Sequence, residues 1–114
     1  MDNQISVRFQ ALGDPTRLAV VERLLKGPAS VSELAEPHPM ALPAFTKHLG
    51  VLERAGLITS EKRGRVRTCS IDPATLGTID RWFLDRRSLW EARLDRFADH
   101  IASDPTASEE VPRS

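Results

Sequence analysis

The chain has 114 residues, 40% of them hydrophobic, with 16 basic and 16 acidic side chains, enough for one domain with a modest core. No apolar run approaches the roughly 18–20 residues of a membrane span, no basic–apolar leader pattern opens the chain, and the lone Cys69 excludes an intrachain disulfide. These features predict a soluble protein of a reducing cytoplasm without a membrane partner, and zero net charge argues against indiscriminate polyanion binding.

Residues 1–4 carry no pattern. Ile5, Phe9 and Leu12 recur at i, i+4 and i+7, which predicts one apolar helical face with Arg8 solvated beside it, ended by Gly13. Asp14-Pro15 predicts a restart, because Asp14 can cap free N–H groups and Pro15 lacks the donor that would be orphaned. The second helix should turn Leu18, Val21, Leu24 and Leu25 inward and end at Lys26-Gly27-Pro28. Ser30 with Glu33 reads as a capping box for a short third helix, whose apolar face is Val31, Leu34 and Ala35. Pro37 and Pro39 forbid its extension.

A fourth helix over residues 42–55 follows. Phe45, Leu49 and Leu52 share its inner face, while Pro43, Thr46, Lys47 and Gly50 form an outer face small enough to approach a groove floor. Gly56 stops it. Two strand-like runs, 57–62 and 66–71, flank Arg63-Gly64-Arg65 and predict a basic hairpin. Cys69 alternates in phase with Ile71 and should face inward as a small hydrophobe.

Asp72-Pro73 repeats the capping logic and opens a last helix. There Leu76, Phe83, Trp90 and Phe97 recur every seven residues, Leu94 and Ile101 form a neighbouring row, and Trp82 and Leu89 add a second edge. The first two helices have limited area to cover so much apolar surface, so a dimer seam is favoured over intramolecular core. The polar, acidic stretch 103–114 is expected to be a disordered tail, leaving 1–102 as one folded domain whose last helix serves dimerisation.

Helix, turn, helix and basic hairpin in this order predict a winged helix-turn-helix, mostly α with a small β wing (α+β), in the order α-α-α-α-β-β-α. The charge distribution agrees: residues 43–67 carry six basic groups against Glu53 and Glu61, whereas the flanking segments are acidic. Expected duplex contacts are Lys47, to phosphate or guanine, and Thr46, to phosphate or a thymine methyl, with Leu42 and Pro43 at the groove edge and Arg63 and Arg65 on phosphates or in the minor groove. Arg67 either joins them or pairs with Glu61 across the hairpin. His48 has two open readings, a DNA contact or a half-buried ring beneath the helix.

At this point the chain resembles the ArsR-type family of bacterial winged-helix repressors. The matching residues are Ala11-Leu-Gly-Asp-Pro-Thr-Arg17, Val31-Ser-Glu-Leu-Ala35, Pro43-Ala-Phe-Thr-Lys-His-Leu49, Leu52-Glu-Arg-Ala-Gly-Leu-Ile58 and Gly64-Arg-Val-Arg67. The resemblance spans about residues 5–101, and Trp90-Glu-Ala-Arg-Leu-Asp-Arg-Phe97 is similar to the branch without a metal site. It implies a homodimer built on the first and last helices, here through Ile5, Phe9, Phe83, Trp90, Leu94, Phe97 and Ile101. It also implies promoter blocking until an inducer releases the DNA, and it favours a DNA contact for His48.

Departures from the family pattern are informative. Where metal sensors carry Cys-x-Cys-Asp, this chain reads Ser30-Val-Ser-Glu33, and its last helix offers only His100 as an imidazole. Without thiolate or paired imidazole donors no metal or cofactor is expected, and neither His38, in the turn facing solvent, nor His100 is assigned a metal role. Ala41 stands where the family has a serine cap, a loss of ~1 kcal/mol of local stability. A single cysteine without a resolving partner argues against a redox switch. An unidentified inducer in an apolar pocket near Phe83 and Trp90 is a hypothesis resting on their surplus aromatic surface. The rival reading is a protein-contact module that docks through the aromatic stripe. An enzyme is rejected, because no nucleophile–base set, carboxylate pair or phosphate-cradling glycine loop is present.

Overall fold

The computed structural model describes residues 4–102. In chain order they form α1 (Gln4–Leu12), α2 (Pro15–Leu24), β1 (Ala29–Ser30), α3 (Val31–Ala35), α4 (Leu42–Arg54), β2 (Ile58–Arg63), β3 (Val66–Ile71) and α5 (Pro73–Ala102). This is the expected helical fold with a β wing, plus one strand that the sequence pattern did not reveal. The tail expected at 103–114 lies outside the described residues. The chain divides within α5 into two compact units, one up to Ile79 and one from Asp80.

Helix ends follow local chemistry. Asp14 accepts from the N–H groups of Thr16 and Arg17 at 2.9 and 3.1 Å and caps α2, with Pro15 at its first position. The capping box of α3 is complete: Ser30 Oγ accepts from Glu33 N at 3.1 Å and Glu33 Oε1 from Ser30 N at 2.9 Å. Ala41 provides no side-chain cap to α4, as expected. At the other end Gly56 takes a φ of 78°, its N–H bonds the Glu53 carbonyl at 2.9 Å, and Leu57 N–H reaches back to Leu52 at 3.0 Å. That paired closure needs a left-handed residue, which glycine supplies without a Cβ clash.

The sheet is antiparallel in the order β1-β3-β2. The wing runs from Ile58↔Ile71 to Arg63↔Val66, and only Gly64, with φ 62°, is left-handed in its two-residue turn. At the wing's base Asp72 N–H donates to the Leu57 carbonyl at 3.0 Å. β1 pairs Ala29 with Cys69 and Ser30 with Thr68. Two residues are too few to show alternation, yet the extended backbone that Ser30 needs as a cap (φ −74°, ψ 159°) also suits a strand.

The core of the first unit draws on every element up to β3. Phe45, Leu34, Leu52, Leu57, Ile58, Val20 and Cys69 are its largest fully buried side chains. Each large apolar one contributes about 1.5–3 kcal/mol by leaving water. Phe45, Leu49 and Leu52 fix α4 with the inner face expected. The expected face of α2 needs correction: Val20, Val21 and Leu24 are buried, while Leu18 and Leu25 stay exposed. At 100° per residue the buried face centres near Leu24, about 100–120° around from Leu18 and Leu25. Arg8 is not simply solvated, because it donates to the Ala55 carbonyl at 3.3 Å and to Thr78 Oγ1 at 2.8 Å, tying α1 to the end of α4 and the start of α5. His38 does not face solvent freely either; it is half-buried and stacks on Phe45 at 5.4 Å.

Candidate nucleic-acid interface

Burying Phe45, Leu49 and Leu52 turns the opposite face of α4 outward. Leu42, Pro43, Ala44, Thr46 and Lys47 are all exposed along its first turns. Thr46 donates its hydroxyl to the Pro43 carbonyl at 3.0 Å, so its proton serves the helix. Lys47 has no hydrogen bond or ion pair among the described residues. Two concavities flank this ridge. One, of about 510 Å³, is walled by Ala41, Pro43, Ala44 and Val51, with Arg17, Lys47 and His48 completing it. The other, of about 350 Å³, lies between α4 and the wing and is lined by Thr46, Lys62, Arg65 and Arg67 with Ser30 and Ser32.

His48 takes the half-buried alternative, yet it still lines the first concavity. Arg17 Nη1 lies 3.0 Å from its Nδ1, and Asp14 Oδ2 lies 3.7 Å from the same nitrogen. Arginine only donates, so in the neutral ring Nδ1 accepts and the proton sits on Nε2. Arg17 is anchored in turn by Nε donating to the Ala11 carbonyl at 2.7 Å. The backbone N–H of Arg17, above all, holds the Asp14 carboxyl below its ordinary range, with His48 and the Arg17 charge adding to the shift. Sequence reading did not assign Arg17 a role. The available signal was a cation in the first turn of α2, where the helix dipole disfavours positive charge unless something else holds it.

The wing arginines have three different fates. Arg63 meets Glu61 at 3.3 Å on an exposed surface. Arg65, in the turn, is exposed without a partner among the described residues. Arg67 does not pair with Glu61; it donates to Ser60 Oγ at 2.9 Å, and that hydroxyl donates to Glu53 Oε1 at 3.2 Å, linking the wing to α4. Register explains the correction. Glu61 stands opposite Thr68, on the other face of the strand from Arg67. Directly across from Arg67 is Lys62, a like-charge pair that costs free energy unless an anion neutralises it. Lys62, exposed and unassigned from sequence, joins the basic side of the groove.

The residues expected at a dimer seam are not uniformly buried. On α1, Ile5 and Phe9 are half-buried. In the second unit Phe83, Trp90, Leu94 and Phe97 are 55–61% exposed, and Ile101 is half-buried. Arg86 stacks over Trp82 at 4.2 Å and Trp82 meets Phe83 edge-on at 5.1 Å. Elsewhere, burial pushes the Cys69 thiol up, which suits an inert core residue. Among the described residues no cluster of three His, Cys, Asp or Glu is placed to hold a metal ion, and no helix is long and apolar enough to cross a membrane.

Helix-turn-helix, basic wing and an outward helix face define a winged helix-turn-helix DNA-binding protein. Comparisons with known proteins agree. A helix-turn-helix domain family matches residues 12–61. The HTH-type transcriptional regulator Rv2034 of Mycobacterium tuberculosis is 42% identical over 96 residues, which are 84% of this chain and 87% of that protein. The transcriptional repressor SdpR of Bacillus subtilis is 27% identical over 77 residues, covering 68% and 86%. Among solved structures, an ArsR family transcriptional regulator, RHA00566, superposes with a TM-score of 0.73 at 51% identity, covering 77% of this chain and 97% of its own. The chain belongs to the ArsR family of transcriptional regulators, and it is not an enzyme.

Proposed function

We propose that this regulator is a homodimeric repressor that occupies a pseudo-palindromic operator in the cytoplasm. The observation that carries the reading is the outward ridge of α4 beside a basic groove, with Lys47, Lys62 and Arg65 without hydrogen-bond or ion-pair partners among the described residues. In a dimer, α4 of each copy enters one of two successive major grooves and the wings follow the flanking backbone, with half-sites about one helical turn apart. Leu42, Pro43, Thr46, Lys47 and His48 face the groove; Arg63 and Arg65 face phosphates, and Arg67 braces the wing beside them. The second copy supplies cover for Phe83, Trp90, Leu94, Phe97 and Ile101, and for Ile5 and Phe9 on α1.

Occupying a promoter excludes polymerase. The name of SdpR, a repressor, supports that direction of control. Release requires a ligand that favours one spacing of the two α4 helices over another. The ligand is not a thiolate-bound metal ion, because the start of α3 offers Ser30 and Ser32 rather than cysteines and Cys69 is buried.

The test is selection of bound duplexes from a random pool, with the mass of the free protein measured in the same buffer. A pseudo-palindrome held by a dimer is expected. A folded dimer that enriches no duplex would end the DNA reading and favour a protein-contact module.

A further inference from the structure

We propose that the first turns of α4 read thymine through its 5-methyl group, so that the half-site is specified mainly by apolar contact. This rests on the DNA-binding reading above. Ala41, Leu42, Pro43 and Ala44 are consecutive, exposed and without a side-chain donor or acceptor. Leu42 is 55% exposed at the helix start, where base edges are usually met. Thr46 has committed its proton to Pro43 and donates nothing to a base. The larger concavity on this face is walled mostly by alkyl groups.

In the major groove the thymine methyl is the one apolar feature of a base edge; the remaining positions are hydrogen-bond donors or acceptors. A polar edge pressed against Leu42 and Ala44 loses water and gains no partner, whereas a methyl group gains by the same burial. Cytosine at that position lacks the methyl group and carries an amino donor where thymine has its O4 acceptor, so the apolar contact is lost. Polar readout is then confined to the rim, where Lys47 and the Nε2 proton of His48 remain. Arg17 is a positioning residue here, since its bond to Nδ1 sets which ring nitrogen carries that proton.

The experiment uses the full chain and its selected operator. Each thymine is replaced singly by deoxyuridine, which removes only the methyl group, and each contacted thymine also by cytosine and by 5-methylcytosine. Affinity should fall about fourfold at each contacted thymine, the worth of one buried methyl group. 5-Methylcytosine should bind better than cytosine at the same place, and the salt dependence should not change. Leu42→Gln and Ala44→Ser, at exposed positions, should bind thymine and deoxyuridine duplexes alike, with melting curves confirming that both fold. A selected operator indifferent to deoxyuridine at every position overturns this inference and leaves the DNA reading intact. Failure to enrich any duplex removes both.

Discussion

α4 and the part of α5 beyond Asp80 carry the same kind of apolar periodicity and meet opposite fates. On α4, Phe45, Leu49 and Leu52 recur at i, i+4 and i+7 and are 1%, 4% and 0% exposed. On α5, Phe83, Trp90 and Phe97 recur every seven residues and are 55%, 58% and 61% exposed. Both stripes say that a surface must be removed from water. Among the described residues only the first is buried. Periodicity therefore identifies a face to be buried, but not the molecule that buries it.

Substitutions can separate the two kinds of stripe. Phe45→Ala should destabilise the fold by about 3–5 kcal/mol in chemical denaturation, at any protein concentration. Trp90→Ala should act on association instead, weakening dimerisation by about 2 kcal/mol, or roughly 30-fold. It should also move the dependence of melting temperature on protein concentration to roughly 30-fold higher concentrations. A Trp90→Ala protein that melts lower at every concentration, with an unchanged mass, would place the second stripe in the same category as the first. On the outward side of α4 and the wing, Arg65→Ala should lower affinity evenly across DNA sequences. It should also flatten the plot of log affinity against log salt by about 0.9.

Smaller effects test the helix ends that hold α4 in position. Ala41→Ser should add a missing cap and raise stability by about 0.5–1 kcal/mol, read by denaturant titration. The Asp14 and Glu33 carboxyls sit below their ordinary values of 3.8 and 4.5, the first mainly through the Arg17 N–H and the second mainly through the Ser30 N–H. Their contribution is complete above those values and fades as pH drops through the lowered ones. Melting between pH 5 and pH 2 should therefore lose part of its acid sensitivity in an Asp14→Asn, Glu33→Gln variant.

What the sequence made legible was local. The Asp14 cap, the Ser30–Glu33 box, the stop at Gly56 and the inner face of α4 each depend on residues within a few positions, and all are found where expected. What it hid was set by tertiary register. β1 is two residues long and borrows its backbone from a cap. Arg17 and His48 are 31 positions apart, so no spacing rule joins them. Arg67 turned to Ser60 because strand parity puts Glu61 on the other face. For the candidate interface, residue type pointed to the helix and wing, but the different partners of Arg63, Arg65 and Arg67 needed coordinates.

The bond between Asp72 and Leu57 at the wing's base makes the hairpin a closed cartridge. Its two ends are fixed to each other, so extra residues at the Gly64 tip would lengthen the ribbon without levering α4 or the start of α5. Loop-closure entropy rises only slowly with length, so such insertions are inexpensive. In the proposed binding mode, reach along the backbone and choice of bases thus become separately adjustable parts. Relatives of this chain could diverge in wing length while keeping one operator, or change operator while keeping one wing.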